Sequence, residues 1–297
     1  MENGKSEKRH VWMLVTSMLL FGTIGLVRRY IPLDSAFISF VRGITGGLFI
    51  LPFALARRNK GERRSRRDLI LLITSGILIG FNWVLLFEAY NFTTVAVATL
   101  CYYMQPTIVT LLSPLVLKER LTWKKVICTL TAVIGMVLVS GVTDAGGTGA
   151  GDIRGILCGL GAAVLYASDI LINKSVKEDE VYGRTAIELL SAGLVLIPYL
   201  FMTGGFRTEG AGSAAVILLV ISGIIHTGVA YLLYFSSLNG LSAQTAAILS
   251  YIDPVSALIF SAVFLREPLS TAGVIGAVLI IGSALISEID LTGKNKQ

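Results

Sequence analysis

Ten runs of apolar residues, separated by short polar segments, fill the chain at 11–29, 35–56, 69–89, 94–117, 124–141, 154–173, 185–203, 213–236, 241–265 and 270–287. A helix of about 20 such residues crosses the roughly 30 Å hydrocarbon layer of a bilayer. The pattern therefore predicts an all-α integral membrane protein with ten spans and no soluble domain between them. The runs are related in pairs. Residues 94–121 and 242–269 repeat at an offset of 148, with matches at Ala98/Ala246, Tyr103/Tyr251, Pro106/Pro254, Ser113/Ser261, Leu117/Leu265, Glu119/Glu267 and Leu121/Leu269. TGGLFILPF (45–53) and SAGLVLIPY (191–199) match at 146, including Pro52/Pro198, and Ser75-Gly76 aligns loosely with Ser222-Gly223. The chain divides into a first repeat (1–143, spans 1–5), a Gly-rich linker (144–152) and a second repeat (153–297, spans 6–10). Five crossings per half place the second half upside down relative to the first, an inverted-topology arrangement that many carriers build around a central site.

Composition supports the membrane reading. With 54% hydrophobic and 15% charged residues and a mean hydropathy of +0.75, the chain carries more apolar side chain than a soluble core can bury. The net charge of +6 and pI near 9.3 do not signal nucleic acid, because the positive residues lie in particular loops. With a cytoplasmic N-terminus, nineteen Lys and Arg fall on inner segments and five on outer ones, and only Arg42 lies within a span. The positive-inside rule then places both termini in the cytoplasm of a cell-membrane (plasma or inner-membrane) protein. The run RRNKGERRSRR (57–67) reads as a topology determinant, although anionic lipid headgroups would also bind it. The linker stretch AGGTGAG (145–151) lacks the Lys-Ser/Thr of a phosphate loop. Lys5, Lys8 and Arg9 lead into span 1 without a small-x-small cleavage site, so span 1 reads as an uncleaved helix. Cys101, Cys128 and Cys158 are odd in number and lie inside apolar runs, which argues for buried thiols rather than disulfides.

Each copy of the repeat runs from a central proline to a basic-Glu pair and a Leu: PTIVTLLSPLVLKERL (106–121) and PVSALIFSAVFLREPL (254–269). Together with Arg42 and FEAYNFTTVAVATL (87–100), this pattern resembles the EamA-like family of the drug/metabolite transporter superfamily over about 11–288. The resemblance implies a ten-helix inner-membrane carrier with a central cavity between its halves, exporting amino acids, other metabolites or drugs. The chain departs from the family where Gln105 precedes the proline of span 4, a position that is commonly acidic; Asp253 holds it in span 9.

Both prolines fall near the middle of their spans. Each removes an N–H and frees a carbonyl four residues earlier, at Tyr102 and Ser250, so Pro106 and Pro254 predict helix kinks at the depth where inverted-repeat carriers place substrate. At that depth the sequence offers Asn82, Trp83, Tyr102, Tyr103, Gln105, His226, Tyr251 and Asp253 as substrate contacts, against the plainer reading of core aromatics and packing kinks. Ionisable residues inside a bilayer tend to face a cavity or one another, which singles out Arg42, Asp169, Glu188, His226 and Asp253. Three pairings suggest themselves: Arg42 with Glu88, as against substrate contact by Arg42; Asp169 and Glu188 with nearby Lys174 and Arg184, as against binding a cationic group or an entering proton; and His226 with Asp253. The last would give an imidazole for proton coupling. Small residues at Gly155, Gly159, Ala163 and Ala167, and at Gly43 and Gly47, mark faces for close helix approach. Spans 5 and 10, almost free of polar groups, belong at the periphery, against lipid or a second copy in a homodimer.

These readings converge on a secondary transporter working by alternating access and exporting small polar metabolites, amino acids or derivatives first, with organic-cation export as the alternative. They call for no cofactor and no metal, and for a small-molecule substrate and the lipid bilayer as partners. An enzyme is the contrasting class: Asp169 and Asp253 invite comparison with intramembrane aspartyl proteases. They lack the Gly-x-Gly-Asp context, however, and the chain has no HExxH, GxSxG or P-loop signature.

Overall fold

The computed structural model describes residues 2–24, 27, 30–57, 65–92, 101–139, 153–177, 180–206, 212–260, 263–264 and 271–289. Among these every regular element is helical. They are α1 (Glu2–Gly22), α2 (Ser35–Arg57), α3 (Arg66–Phe92), α4 (Gln105–Val116), α5 (Trp123–Val139), α6 (Ile153–Ser175), α7 (Val181–Thr203), α8 (Ser213–Ser222), α9 (Ala230–Leu238), α10 (Ala243–Leu249), α11 (Ile252–Phe260) and α12 (Thr271–Ile289). A π-helical segment, Gly223–Val229, joins α8 to α9. Among the described residues, five stretches are long and apolar enough to cross a membrane: Ala36–Ala56, Arg66–Leu86, Ile153–Ser175, Val181–Thr203 and Ser213–Leu238. Several sequence features lie outside the described residues: Arg28, Arg29, 58–64 of the basic run, 93–100 of the repeat, the linker, Arg207, 265–270 with Glu267, and Lys294 and Lys296.

The two halves pack crosswise. α1 lies on the π segment, α9 and α11 of the second half, while α6 lies on α3 and α4 of the first. α2 packs on its counterpart α7, and α5 packs on its counterpart α12. Each contact thus reappears when the halves are exchanged, the mark of a pseudo-two-fold axis between them. Small residues make the closest approaches possible. Gly155, Gly159, Ala163 and Ala167 are all buried in α6. Between α2 and α7, a Cβ on Gly47 would meet Leu190 and one on Gly193 would meet Ile44. The outer faces of α5 and α12 carry exposed Ile127, Leu130, Ile134, Val274, Ile275 and Val278.

The matched prolines of α2 and α7 sit on exposed faces of unbroken helices. α7 starts at a Glu180 cap whose carboxylate accepts from the Tyr182 and Gly183 amides at 3.0 and 2.6 Å, and it ends at left-handed Gly204. The basic-Glu element after α4 has a structural task. Lys118 takes a left-handed φ of 58°, and the Glu119 amide turns back to the Ser113 carbonyl at 3.4 Å. That turn aims the Glu119 carboxylate across the halves at the start of α10, where it accepts from the amides of Ala243 (2.9 Å) and Gln244 (3.4 Å). Lys125 reaches the Ser242 hydroxyl at 3.2 Å beside it, and Lys174 reaches the carbonyls of Leu238 and Leu241. Glu119→Ala is expected to cost about 1 kcal/mol through the orphaned amides. A fall in the thermal midpoint of the detergent-solubilised protein, partly recovered by Glu119→Gln, is the measurement.

Candidate functional site

Pro106 and Pro254 are both buried, and the chain around them is interrupted rather than kinked. The turn at 103–104 separates Cys101 and Tyr102 from α4, and the turn at 250–251 separates α10 from α11. Pro106 and Pro254 then stand in the first turn of the new helix, where a missing N–H leaves nothing unpaired. Helix interruption corrects the expected kink. The halves meet at the first break: the Tyr251 hydroxyl donates to the Tyr103 carbonyl at 3.2 Å, and Thr107 Oγ1 lies 3.2 Å from the same hydroxyl. Tyr103 and Tyr251 are repeat counterparts, so the two breaks cross at the pseudo-two-fold axis.

An aromatic cluster surrounds this crossing. The rings of Tyr102 and Tyr166 stack at 5.9 Å and 12°, and Tyr166 lies 6.3 Å from Tyr234. Tyr231 adjoins Tyr234 at 6.3 Å, Trp83 at 6.2 Å and Phe21 at 5.1 Å. Tyr231, Tyr234 and Tyr251 are buried, whereas Tyr102, Tyr103, Tyr166 and Asp253 retain partial exposure and are the groups a small molecule can touch. The Tyr103 side chain hydrogen-bonds to the Asp253 carboxylate. An anionic group beside stacked aromatic faces suits an ammonium or quaternary amine.

Arg42 is buried at the edge of this cluster. Its Nε donates to Thr227 Oγ1 at 3.0 Å, and its guanidinium lies 5.9 Å from the Trp83 ring. The expected Arg42–Glu88 bridge is not what forms: Glu88 accepts from the Tyr199 hydroxyl at 3.0 Å. Thr227, the group Arg42 meets, lies in the π segment, where consecutive His226 and Thr227 are both buried. His226 is not paired with Asp253 either. Its Nε2 lies 2.8 Å from Thr23 Oγ1, and that hydroxyl already donates to the Leu20 carbonyl at 2.7 Å. A hydroxyl has one proton, so the imidazole is the donor at Nε2, leaving its buried Nδ1 as an acceptor without a partner among the described residues.

Asp169 and Glu188 come together, but through a neutral group that the sequence did not single out for a site. The Ser75 hydroxyl contacts Asp169 Oδ1 and lies 2.9 Å from Glu188 Oε1. Asn173 Nδ2 lies 2.9 Å from Ser75 Oγ and 3.1 Å from Asp169 Oδ1. Of the two cations expected nearby, Arg184 donates to Asn173 Oδ1 at 3.2 Å and to Asn239 at 3.0 Å, while Lys174 turns to the α9–α10 carbonyls. Asn82 and Gln105, expected to contact substrate, are buried; Asn82 donates to the Ala162 carbonyl at 2.7 Å and braces α3 on α6. Sequence reasoning passed over Tyr166, Tyr231 and Tyr234. The i, i+3 spacings of Tyr166 with Asp169 and of Tyr231 with Tyr234 were the available signal, because such residues share one helix face.

Comparison with known proteins agrees with this architecture. The uncharacterized transporter YxxF of Bacillus subtilis (strain 168) is 30% identical over 295 residues, covering 98% of this chain and 93% of that protein. The uncharacterized inner membrane transporter YicL of Salmonella typhimurium (strain LT2) is 23% identical over 299 residues, covering 96% and 97%. One crystal structure superposes with a TM-score of 0.81 at 21% identity, over 94% of this chain and 98% of that one, a likeness of fold. The model of the EamA-like transporter family matches twice, at residues 8–141 and 153–288, once on each of the crosswise-packed halves. Its two matches fall on the same two repeats whose broken helices cross at Tyr103 and Tyr251, and the chain belongs to the EamA-like transporter family.

Proposed function

We propose that this membrane transporter is a ten-span, inverted-repeat secondary carrier with both termini in the cytoplasm, exporting small polar metabolites by alternating access, with amino acids or their derivatives as the first substrate class. The observation that carries the reading is the crossing of the two interrupted helices, where Tyr102, Tyr103, Tyr166 and Asp253 present partly exposed aromatic and carboxylate groups between the halves. Broken helices at the repeat interface are where inverted-repeat carriers hold substrate. The Asp253 carboxylate would meet an α-ammonium group, the stacked tyrosines an adjoining side chain, and Arg42 a carboxylate reaching the far edge. The same aromatic and acidic set favours quaternary amines as a second reading, because such cations bind ring faces without needing Arg42. Asp169 and Asp253 belong to separate hydrogen-bond networks, one around Ser75 and one at Tyr103, which speaks against a shared protease dyad.

Purified protein in proteoliposomes, loaded with radiolabelled amino acids or quaternary amines and assayed for exchange, tests the proposal. Exchange of amino acids is the expected outcome. Exchange confined to quaternary amines would replace the first reading by the second, and movement of neither class would overturn both.

A further inference from the structure

The Ser75 cluster holds one more contact than its protons allow. Asn173 is fixed in orientation because its Oδ1 accepts from Arg184, so its Nδ2 must be the group facing Ser75 and Asp169. Ser75 therefore accepts from Asn173 and has a single hydroxyl proton to give. Yet its oxygen lies within hydrogen-bond reach of two carboxylates, Asp169 Oδ1 and Glu188 Oε1. Ionised carboxylates are acceptors only. One of the two must carry a proton for both contacts to be hydrogen bonds. Charge leads to the same count. Asp169 and Glu188 are 0% exposed and Arg184 is 1% exposed, and two buried anions beside one buried cation would leave a net charge that one added proton removes. The other carboxylate oxygens, Asp169 Oδ2 and Glu188 Oε2, are buried and have no hydrogen-bond partner among the described residues. The charged and titratable groups facing the pair are Arg184 on α7, Tyr166 on α6 and Tyr231 and Tyr234 on α9.

We propose that Glu188, Ser75 and Asp169 form a one-proton binding site and relay that couples proton movement to transport. In one form the Glu188 carboxyl donates to Ser75 and Ser75 donates to Asp169. Relay breaks the Glu188 O–H bond and the original Ser75 O–H bond and forms a new Ser75 O–H bond and an Asp169 O–H bond, with no change in electron count. The arrangement links α3, α6 and α7, two of them from the second half and one from the first, so motion between the halves stretches the shared hydroxyl and changes which carboxylate holds the proton. The coupling part rests on the carrier reading, whereas the bound proton does not.

Infrared difference spectroscopy of the full-length protein in lipid at neutral pH reads the proton directly. A buried carboxylic-acid carbonyl band that shifts in D₂O is expected in the wild type and lost in both Glu188→Gln and Asp169→Asn, since either amide leaves one carboxylate that Ser75 and Arg184 satisfy without a proton. Absence of the band in the wild type overturns the site, and loss in only one variant overturns the sharing. With radiolabelled amino acids in proteoliposomes, one-proton coupling predicts about tenfold accumulation per pH unit of gradient, falling to no accumulation in Glu188→Gln. A band without a gradient effect, while amino acids exchange, overturns the coupling; no amino-acid movement in the wild type would instead count against the carrier reading and leave the infrared result to decide the proton site.

Discussion

Asp253→Asn is expected to slow substrate exchange by about ten- to a hundredfold, the effect of losing one charge-assisted hydrogen bond of about 1.5–3 kcal/mol. The substitution keeps side-chain size and leaves an amide oxygen for the Tyr103 hydroxyl, so its geometry at the crossing survives. What is removed is the negative charge beside the partly exposed rings of Tyr102, Tyr103 and Tyr166. A stability cost also arises because Asp253 occupies the first turn of α11, where an anion favours the helix dipole, but that contribution is only about 0.3–1 kcal/mol. The two quantities therefore separate: exchange of radiolabelled zwitterions and quaternary amines falls steeply while the thermal midpoint moves by a few degrees at most. Asp253→Glu, which keeps the charge but extends it, is expected to recover part of the exchange. Wild-type exchange by Asp253→Asn would remove this carboxylate from the substrate site.

Gly43→Val is expected to prevent accumulation of folded protein, and Gly43→Ala to cost about 1–3 kcal/mol by overpacking. A Cβ at this position would lie 2.9 Å from the Gly193 nitrogen, 3.0 Å from its Cα and 3.1 Å from the Leu189 carbonyl oxygen. All three are backbone atoms of α7, so relief requires the helices to part, and parting α2 from α7 opens the interface between the halves. Gly282 in α12 provides the internal comparison, since nothing among the described residues lies within 4 Å of its added Cβ. Gly282→Ala is expected to be neutral or to stabilise by up to about 1 kcal/mol through helix propensity. Size-exclusion profiles and melting curves of the three variants decide the matter; a Gly43→Val protein as stable as the wild type would mean that α2 and α7 do not meet as closely as described.

The two repeats were readable because prolines, tyrosines and the Glu119 element are chemically distinctive and recur at a fixed offset. The interruption at each central proline was half visible. Pro106 and Pro254 announced a disturbed helix, but whether a chain bends or restarts depends on what meets its backbone at the break, and there Tyr251 meets the Tyr103 carbonyl from the other half. The π segment left no sequence mark, because in the uniformly apolar run around GIIHTGV one residue more per turn changes no polarity pattern. Charged residues took partners other than those expected: Arg42 meets Thr227 and His226 meets Thr23. Asp169 and Glu188 were expected either to pair with Lys174 and Arg184 or to take a cationic group or a proton, but the residue that bridges them, Ser75, entered the sequence reading only as half of a loosely aligned Ser-Gly pair. Asn82 shows the opposite error: a polar side chain at mid-depth braces two helices instead of facing a substrate.

The meeting of Tyr103 and Tyr251 bears on how such a carrier rests. If two halves were identical and inverted, exchanging their conformations would turn the outward-facing molecule into the inward-facing one at equal free energy, and an empty carrier would spend half its time in each. Here the exchange is not symmetrical at the axis itself. The Tyr251 hydroxyl is bound to the backbone of its counterpart, while the Tyr103 side chain turns to Asp253, whose own counterpart is the uncharged Gln105. A difference of one hydrogen bond, about 1 kcal/mol, already skews two states to roughly five to one. On the proposed alternating-access reading, the substitutions that distinguish one repeat from the other would also be the dial that sets which side of the membrane the idle transporter faces.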